Sequence, residues 1–171
     1  KEIKIFFTCL MFYTRIPCPS NIDHNPDYIN KATRYFPLIG WIVGAISFLV
    51  YYLSSFVLDP PIAIVLSLVT GILVTGAFHE DGLADMADGI GGGMTIEKRL
   101  TIMKDSRLGT YGASALMMAL LCKYLMLSTL AMHHSLWPTW LLGYALSRAF
   151  AASLIFDVPY VSQHDSSKSK P

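Results

Sequence analysis

The stretch TGAFHEDGLADMADGIGGGMTIEKRLTIMKDSRLGTYG, residues Thr75 to Gly112, interrupts the long apolar runs of this chain and concentrates its charge. It holds six of the 12 acidic residues: Glu80, Asp81, Asp85, Asp88, Glu97 and Asp105. It also holds four of the 13 basic residues: Lys98, Arg99, Lys104 and Arg107. A block of carboxylates, glycines and cations between hydrophobic segments predicts a functional site that those segments anchor.

The flanking runs have the composition and length of membrane helices. Hydrophobic residues make up 53% of the chain and charged residues 15%, whereas soluble domains carry roughly 25% charged residues. Because a spanning helix needs about 20 apolar residues, we predict four spans, with Lys123 and Arg148 as their only charges. The predicted spans are Phe36 to Leu58, Ile62 to Phe78, Ala113 to Met132 and Leu136 to Phe156.

The N-terminal segment is apolar from Ile3 to Tyr13, which is too short to cross a bilayer. We predict an interfacial or re-entrant helix there, followed by a loop from Ser20 to Tyr35 that includes one helical turn. The predicted fold is therefore an all-α polytopic membrane bundle. We treat residues 1–171 as a single domain with an acidic loop at residues 80–112 that carries short helices.

Orientation follows from the distribution of Lys and Arg. Two predicted connections, Asp59 to Pro61 and His133 to Ser135, contain neither residue, whereas eleven of the 13 basic residues lie on the other side. The positive-inside rule then predicts that the acidic loop faces the cytoplasm. The net charge of +1 gives no indication of nucleic-acid binding. Whether the chain forms a homo-oligomer stays open.

The acidic loop has the side chains of a divalent-cation site. Asp81, Asp85 and Asp88 follow a spacing of i, i+4 and i+7, so on a helix they share one face. Together with Glu80 they supply the hard oxygen ligands that Mg²⁺ prefers, and Mg²⁺ commonly completes its shell with water and substrate phosphates. The alternative is a solvated acidic helix start that complements the helix dipole.

Downstream residues suit phosphate. Gly91 to Gly93 offer a backbone that a phosphate can approach, and a helix with Thr95 as N-cap is predicted up to Met103, with Lys98 and Arg99 on its wet face. Lys104 and Arg107, around Asp105-Ser106, form a candidate phosphate clamp. The alternative is salt bridges to the loop's own carboxylates. The combination predicts phosphoryl or nucleotidyl transfer, with Asp81, Asp85, Lys104 and Arg107 as the catalytic candidates and a metal-free Asp as general base.

Two central motifs and two shorter ones resemble the cobalamin synthase family, the adenosylcobinamide-GDP ribazoletransferases. They are HEDGLADMADG from His79, IMKDSRLGTYG from Ile102, TRIP from Thr14 and FPLIG from Phe36. The resemblance implies an inner-membrane enzyme that uses Mg²⁺ to join α-ribazole, or its 5′-phosphate, to adenosylcobinamide-GDP with release of GMP. Members of this family are longer, so we expect this chain to lack a C-terminal part.

Residues outside the loop add candidate substrate contacts. Arg15 matches the family pattern, and Arg148 is costly within a span unless it faces the bundle interior. Arg148 is predicted to contact a substrate phosphate or a loop carboxylate, with snorkelling to the membrane edge as the alternative. Asp105 and Ser106 are further substrate-binding candidates. Rival functions are a CDP-alcohol phosphotransferase, against which Asp85 after Ala84 counts, and a divalent-cation transporter, which would place carboxylates within the spans.

Overall fold

The computed structural model describes residues 1–19, 26–132 and 136–158, and within these ranges it contains helices and no strand. The helices are α1 (Glu2–Tyr13), α2 (Pro26–Ala32), α3 (Phe36–Ser54), α4 (Pro60–Thr75), α5 (Phe78–Gly92), α6 (Ile96–Met103), α7 (Thr110–Met132) and α8 (Leu136–Asp157). The predicted connection at residues 133–135 and the polar tail from residue 159 onward lie outside the described residues. The predicted all-α fold class is confirmed.

The helices form two compact units rather than one. The first contains the chain up to Gly76 together with α8, and the second runs from Ala77 through α7. In the first unit α3 is central, because it packs against both α4 and α8. In the second unit α5 is central, because it packs against both α6 and α7.

Small residues on α3 and α4 admit Tyr144 of α8. A Cβ added to Gly40 would collide with the Tyr144 carbonyl oxygen, and one added to Gly44 would lie 3.1 Å from the Tyr144 Cβ. A Cβ on Gly71 would lie 2.6 Å from the Tyr144 hydroxyl. Glycines of membrane helices commonly allow such close approach. Gly143, in contrast, faces open space within 4 Å.

Three helices are long and apolar enough to cross a membrane, with bounds of Thr33–Ser54, Thr110–Met132 and Trp137–Asp157. The helix pair Pro60–Thr75 and Phe78–Gly92 passes the same test only together, so the described residues contain three candidate spans or up to four. Large apolar side chains on these helices are exposed, including Leu49, Leu53, Met126 and Phe150. Exposed apolar surface of this kind is what a lipid-facing helix presents, and the chain is a membrane protein.

Two of the predicted spans end earlier than the apolar pattern suggests. The first stops at Ser54, whose hydroxyl donates to the Val50 carbonyl at 2.7 Å, and a turn then leads to Asp59. The second stops at Thr75 instead of Phe78, because Gly76 adopts a left-handed conformation with φ of 62° and caps the helix. Glycine takes this conformation at no steric cost. Ala77 also has positive φ, 59°, which is strained for a residue with a Cβ.

The N-terminal region is more ordered than predicted. The segment predicted as a loop from Ser20 to Tyr35 contains α2 and a 3₁₀ turn at Thr33–Tyr35, with residues 20–25 outside the described ranges. Glu2 pairs with Arg34 and accepts a hydrogen bond from the Tyr35 hydroxyl at 2.8 Å. Hydrogen bonds from Tyr35 and Arg34 lower the pKa of the Glu2 carboxyl. This contact ties the start of α1 to the 3₁₀ turn that leads into α3.

Candidate functional site

Most of the predicted acidic loop is helical. Residues 78–92 form α5, residues 96–103 form α6, and α7 begins at Thr110. The three aspartates therefore lie on α5, as the spacing predicts, and α5 lies almost entirely outside the four predicted spans. Thr95 is the N-cap of α6, where its hydroxyl oxygen accepts a hydrogen bond from the Lys98 amide at 3.3 Å.

Burial increases along the carboxylate face of α5. Asp81 is exposed, Asp85 is half-buried, and Asp88 is buried with 9% of its surface exposed. Burial raises the pKa of the Asp85 carboxyl, and the neighbouring charges of Asp81 and Asp88 raise it further. The like charges of Asp81 and Asp88 thus repel that of Asp85 on this face, and a cation would relieve the repulsion.

Asp88 connects α5 to the start of α7. Its Oδ2 accepts a hydrogen bond from the Gly109 amide and its Oδ1 accepts one from the Gly112 amide, both at 2.8 Å. Both glycines lie directly against the carboxylate, because a Cβ on either one would collide with an Asp88 oxygen. This contact was not predicted, since the paired residues are 21 and 24 positions apart.

The glycine run after the aspartates packs against its own unit. Gly91 and Gly92 belong to the last turn of α5, and Gly93 caps it with an extended backbone. A Cβ on Gly91 would lie 2.5 Å from the Tyr111 ring, and one on Gly93 would lie 2.8 Å from the Arg99 amide nitrogen. Close helix packing therefore accounts for these glycines, and the predicted approach of a phosphate to them stays a prediction.

Arg99 has a role that the sequence did not reveal. Its side-chain Nε donates a hydrogen bond to the Gly93 carbonyl at 2.9 Å. As predicted for the wet face of α6, the side chain is exposed, and its hydrogen bond also links α6 to the end of α5. An arginine near a helix C-terminus satisfies a carbonyl that has no partner within the helix.

The candidate phosphate clamp lies in the segment between α6 and α7. Lys104 is the exposed C-cap residue of α6, and Ser106 is exposed beside it. Arg107 pairs with Asp105, with its terminal nitrogen 2.6 Å from Oδ2 and its backbone amide 3.2 Å from Oδ1. These bonds lower the pKa of the Asp105 carboxyl. For Arg107, the alternative of a salt bridge within the loop is thus what the structure shows.

The donor set is suited to a cation only in part. Among the described residues, no three His, Cys, Asp or Glu side chains converge as a ready metal cage. Glu80 has a buried Oε2 with no hydrogen-bond partner among the described residues, which fits an oxygen ligand that faces a cation. Asp81 and Asp85 are near enough for their charges to interact. This set suits Mg²⁺, which takes one or two carboxylates and fills its shell with water and phosphate oxygens.

Arg15 and Arg148, which the sequence predicts as substrate contacts, belong to the first unit. The Arg15 amide donates to the Val74 carbonyl at 2.7 Å, and the exposed Arg15 side chain lies against Gly76 at the end of α4. Arg148 is buried within its unit, with 9% exposed, as expected for a charge that faces the bundle interior. It donates to the Tyr144 carbonyl at 3.3 Å and its guanidinium lies 5.0 Å from the centre of the Tyr144 ring.

Comparison with known proteins gives one consistent result. The family model described as Cobalamin-5-phosphate synthase matches residues 5–170. A Vibrio cholerae serotype O1 protein named adenosylcobinamide-GDP ribazoletransferase is 56% identical over 170 residues, which cover 99% of this chain. A Shewanella pealeana protein of the same name is 55% identical over 173 residues, which cover 100% of this chain. No solved structure matches.

The chain is shorter than these relatives. It spans 65% of the length of the Vibrio cholerae protein and 67% of the Shewanella pealeana protein. A Vibrio parahaemolyticus protein of the same name is 50% identical, and the match covers 64% of it.

Proposed function

Because this chain belongs to the cobalamin-5-phosphate synthase family, we propose that it carries the phosphoryl-transfer site of an adenosylcobinamide-GDP ribazoletransferase. The proposed substrates are adenosylcobinamide-GDP and α-ribazole or its 5′-phosphate. The proposed products are GMP and adenosylcobalamin or its phosphate. This would be a late step in the synthesis of vitamin B12.

The observation that supports this reaction is the arrangement of the second unit. The carboxylates of α5 and the segment from Lys104 to Leu108 belong to one compact unit, and Asp88 joins them through the Gly109 amide at 2.8 Å. Phosphoryl transfer depends mainly on positioning and on neutralising charge at the phosphate oxygens. A carboxylate helix bonded to a cation-bearing segment provides both kinds of group.

The proposed reaction uses these residues in distinct roles. A hydroxyl of α-ribazole attacks the cobinamide phosphorus, a new P–O bond forms, and the bond from that phosphorus to the bridging oxygen breaks, so that GMP leaves. Among Glu80, Asp81 and Asp85, a carboxylate that does not bind the cation accepts the hydroxyl proton. Lys104 and Arg107 contact the phosphates, for which Arg107 exchanges Asp105 for substrate. Bound Mg²⁺, held by the other carboxylates of this set, would neutralise charge on the phosphate oxygens.

The membrane setting is part of the proposal. We place the protein in the inner membrane with the second unit's charged segments in the cytoplasm, because the basic residues cluster on that side in the sequence. Arg15 and Arg148 are proposed as further contacts for the anionic substrate.

The test is GMP release by the full-length enzyme in membranes, with adenosylcobinamide-GDP and α-ribazole 5′-phosphate, with and without Mg²⁺. We expect Mg²⁺-dependent GMP and a corrinoid product, and a loss of at least about 100-fold in Asp85→Asn. Glu97→Gln is the matched control, because it removes one exposed negative charge from the same unit. It should retain activity.

Two results would contradict the proposal. Folded wild-type protein that releases no GMP excludes the transferase function and favours the transporter alternative, which cation-flux measurements in vesicles would then examine. Full activity in Asp85→Asn would leave the family assignment intact and remove Asp85 from the site.

A further inference from the structure

We propose that Asp88 is a positioning residue that caps α7 from α5 and holds the Lys104–Leu108 segment, and that it does not bind the cation. The inference deepens the proposed function and rests on it for the identity of the substrate. It differs from the expectation based on spacing, which groups Asp88 with Asp81 and Asp85 as a third aspartate ligand.

The geometry at the start of α7 is that of a helix cap supplied by another helix. Gly109 occupies the N-cap position, because its carbonyl accepts the Ala113 amide at 3.0 Å and α7 begins at Thr110. An N-cap side chain normally accepts a hydrogen bond from the second or third helical amide. Gly109 has no side chain, and the Asp88 carboxylate takes that role for the Gly112 amide at 2.8 Å.

The surroundings of Asp88 leave little room for a hydrated cation. Its two oxygens each accept one backbone amide, it is buried, and the glycines at 109 and 112 lie in contact with it. Mg²⁺ keeps several water molecules and demands near-octahedral geometry. Asp81 and Asp85, which are more exposed, offer the accessible side of the same face.

The cap fixes the segment that carries the clamp. At its start, the Asp105 amide donates to the Ile102 carbonyl at 3.0 Å, which joins the segment to the end of α6. At its other end, Gly109 is bonded to Asp88. Ser106, Arg107 and Leu108 lie between these two anchors and are exposed, and the exposed Lys104 precedes them. Asp88 thereby acts on the substrate through the position of the segment that carries Lys104 and Arg107.

The two roles of Asp88, cation ligand and helix cap, predict opposite effects of Asp88→Asn on the thermal stability of the metal-free protein. Neutralising a ligand in an acidic cluster removes repulsion, so Asp88→Asn would raise the thermal unfolding midpoint if Asp88 were only a ligand. If Asp88 is the cap, the same variant loses a charge-assisted hydrogen bond. We then expect a lower midpoint in detergent without Mg²⁺, and faster hydrogen–deuterium exchange at the start of α7. Asp85→Asn should shift the midpoint upward in parallel.

Kinetics separate positioning from a purely structural effect. In Asp88→Asn, measured below its unfolding midpoint, the KM for adenosylcobinamide-GDP should rise several-fold more than the KM for α-ribazole 5′-phosphate. The half-saturating Mg²⁺ concentration should stay within about two-fold of wild type. If Asp88→Asn cannot be purified, Gly109→Ala applies the same test, because its Cβ would displace the carboxylate. Gly82→Ala is the control, since its Cβ would meet nothing within 4 Å.

Three results would contradict the proposed role of Asp88. An unchanged or higher unfolding midpoint in Asp88→Asn, or a large rise in the Mg²⁺ requirement, overturns the cap. Equal changes in both substrate KM values overturn the positioning role. Failure of the wild-type enzyme to release GMP would reject the proposed function, whereas the metal-free midpoint and the exchange data would still test the cap.

Discussion

In both units of this protein, glycines let two helices approach closely, but different interactions hold the helices together at the contact. In the unit built on α3, Gly40, Gly44 and Gly71 make room for the aromatic side chain of Tyr144. In the unit built on α5, Gly109 and Gly112 make room for the carboxylate of Asp88. The first contact is mainly packing, and the second is a pair of hydrogen bonds at 2.8 Å.

This difference matches what each unit buries. Helices surrounded by lipid gain little from burying apolar surface against one another, so close packing at small residues holds them together. Among the described residues of the α5 unit only Ala84 and Leu127 are buried apolar side chains, and polar bonds such as those of Asp88 and Arg99 supplement its packing. The first unit should therefore respond to changes of volume, and the second to changes of charge and hydrogen bonding.

The largest expected effect is at Gly40. A Cβ in Gly40→Ala would collide with the Tyr144 carbonyl oxygen and lie 2.7 Å from the Arg148 Cδ. Because one of these neighbours is backbone, α3 and α8 must separate, and we expect the free energy of unfolding to fall by about 3 kcal/mol. Unfolding of the purified protein in detergent measures this.

Gly143→Ala is the matched control for that change. Gly143 lies on α8 beside Tyr144, and a Cβ there would meet nothing within 4 Å. Since alanine is a better helix former than glycine, the free energy of unfolding of Gly143→Ala should be unchanged or higher by up to about 1 kcal/mol. Equal losses in the two variants would show that α3 and α8 do not pack at Gly40.

A smaller effect is expected at Gly112. Its new Cβ in Gly112→Ala would touch the Asp88 carboxylate and lie 2.9 Å from the Ala84 carbonyl oxygen. The carboxylate can rotate away, and the contact with the Ala84 backbone is less severe than the one at Gly40, so the main loss is the cap, worth about 1–2 kcal/mol. The control is Gly82→Ala on α5, where the Cβ is unobstructed. If combining Gly112→Ala with Asp88→Asn gave the full sum of both losses, the two residues would not share one contact.

The sequence was sufficient for the features that depend on local pattern. Uninterrupted apolar runs predicted α3, α7 and α8 as candidate spans, and the spacing of the aspartates predicted their shared helix face. The ends of the spans were less accurate. Hydropathy continues from Thr75 into Phe78, whereas the helix ends where the backbone of Gly76 turns left-handed.

Features that depend on distant partners were not predictable from one sequence. Nothing near Asp88 indicates that its partners are Gly109 and Gly112, and periodicity alone grouped it with Asp81 and Asp85. The roles of Gly91 and Gly93 were similarly hidden, because a glycine that packs against Tyr111 or Arg99 has the same local sequence as a hinge. A salt bridge to a carboxylate of the loop was the alternative considered for Lys104 and Arg107, and Arg107 forms one with Asp105.

The smallest expected effect concerns Asp85, and it tests whether the stability of the second unit responds to a change of charge. Its folded-state pKa is raised by burial and by Asp81 and Asp88, so the folded protein binds the Asp85 proton more tightly than the unfolded chain. The ionised group therefore destabilises the metal-free fold at neutral pH, and this cost disappears as pH falls through the raised pKa. Asp85→Asn should be more stable at pH 7 by about 0.3–0.5 kcal/mol, and the difference should vanish toward acidic pH.

Asp105→Asn should not share the gain, because Arg107 lowers the pKa of Asp105. Unfolding midpoints of the three proteins between pH 4 and 8, without Mg²⁺, measure the effect. A gain in Asp85→Asn that was undiminished at pH 4 would mean that its cause is not the charge of Asp85.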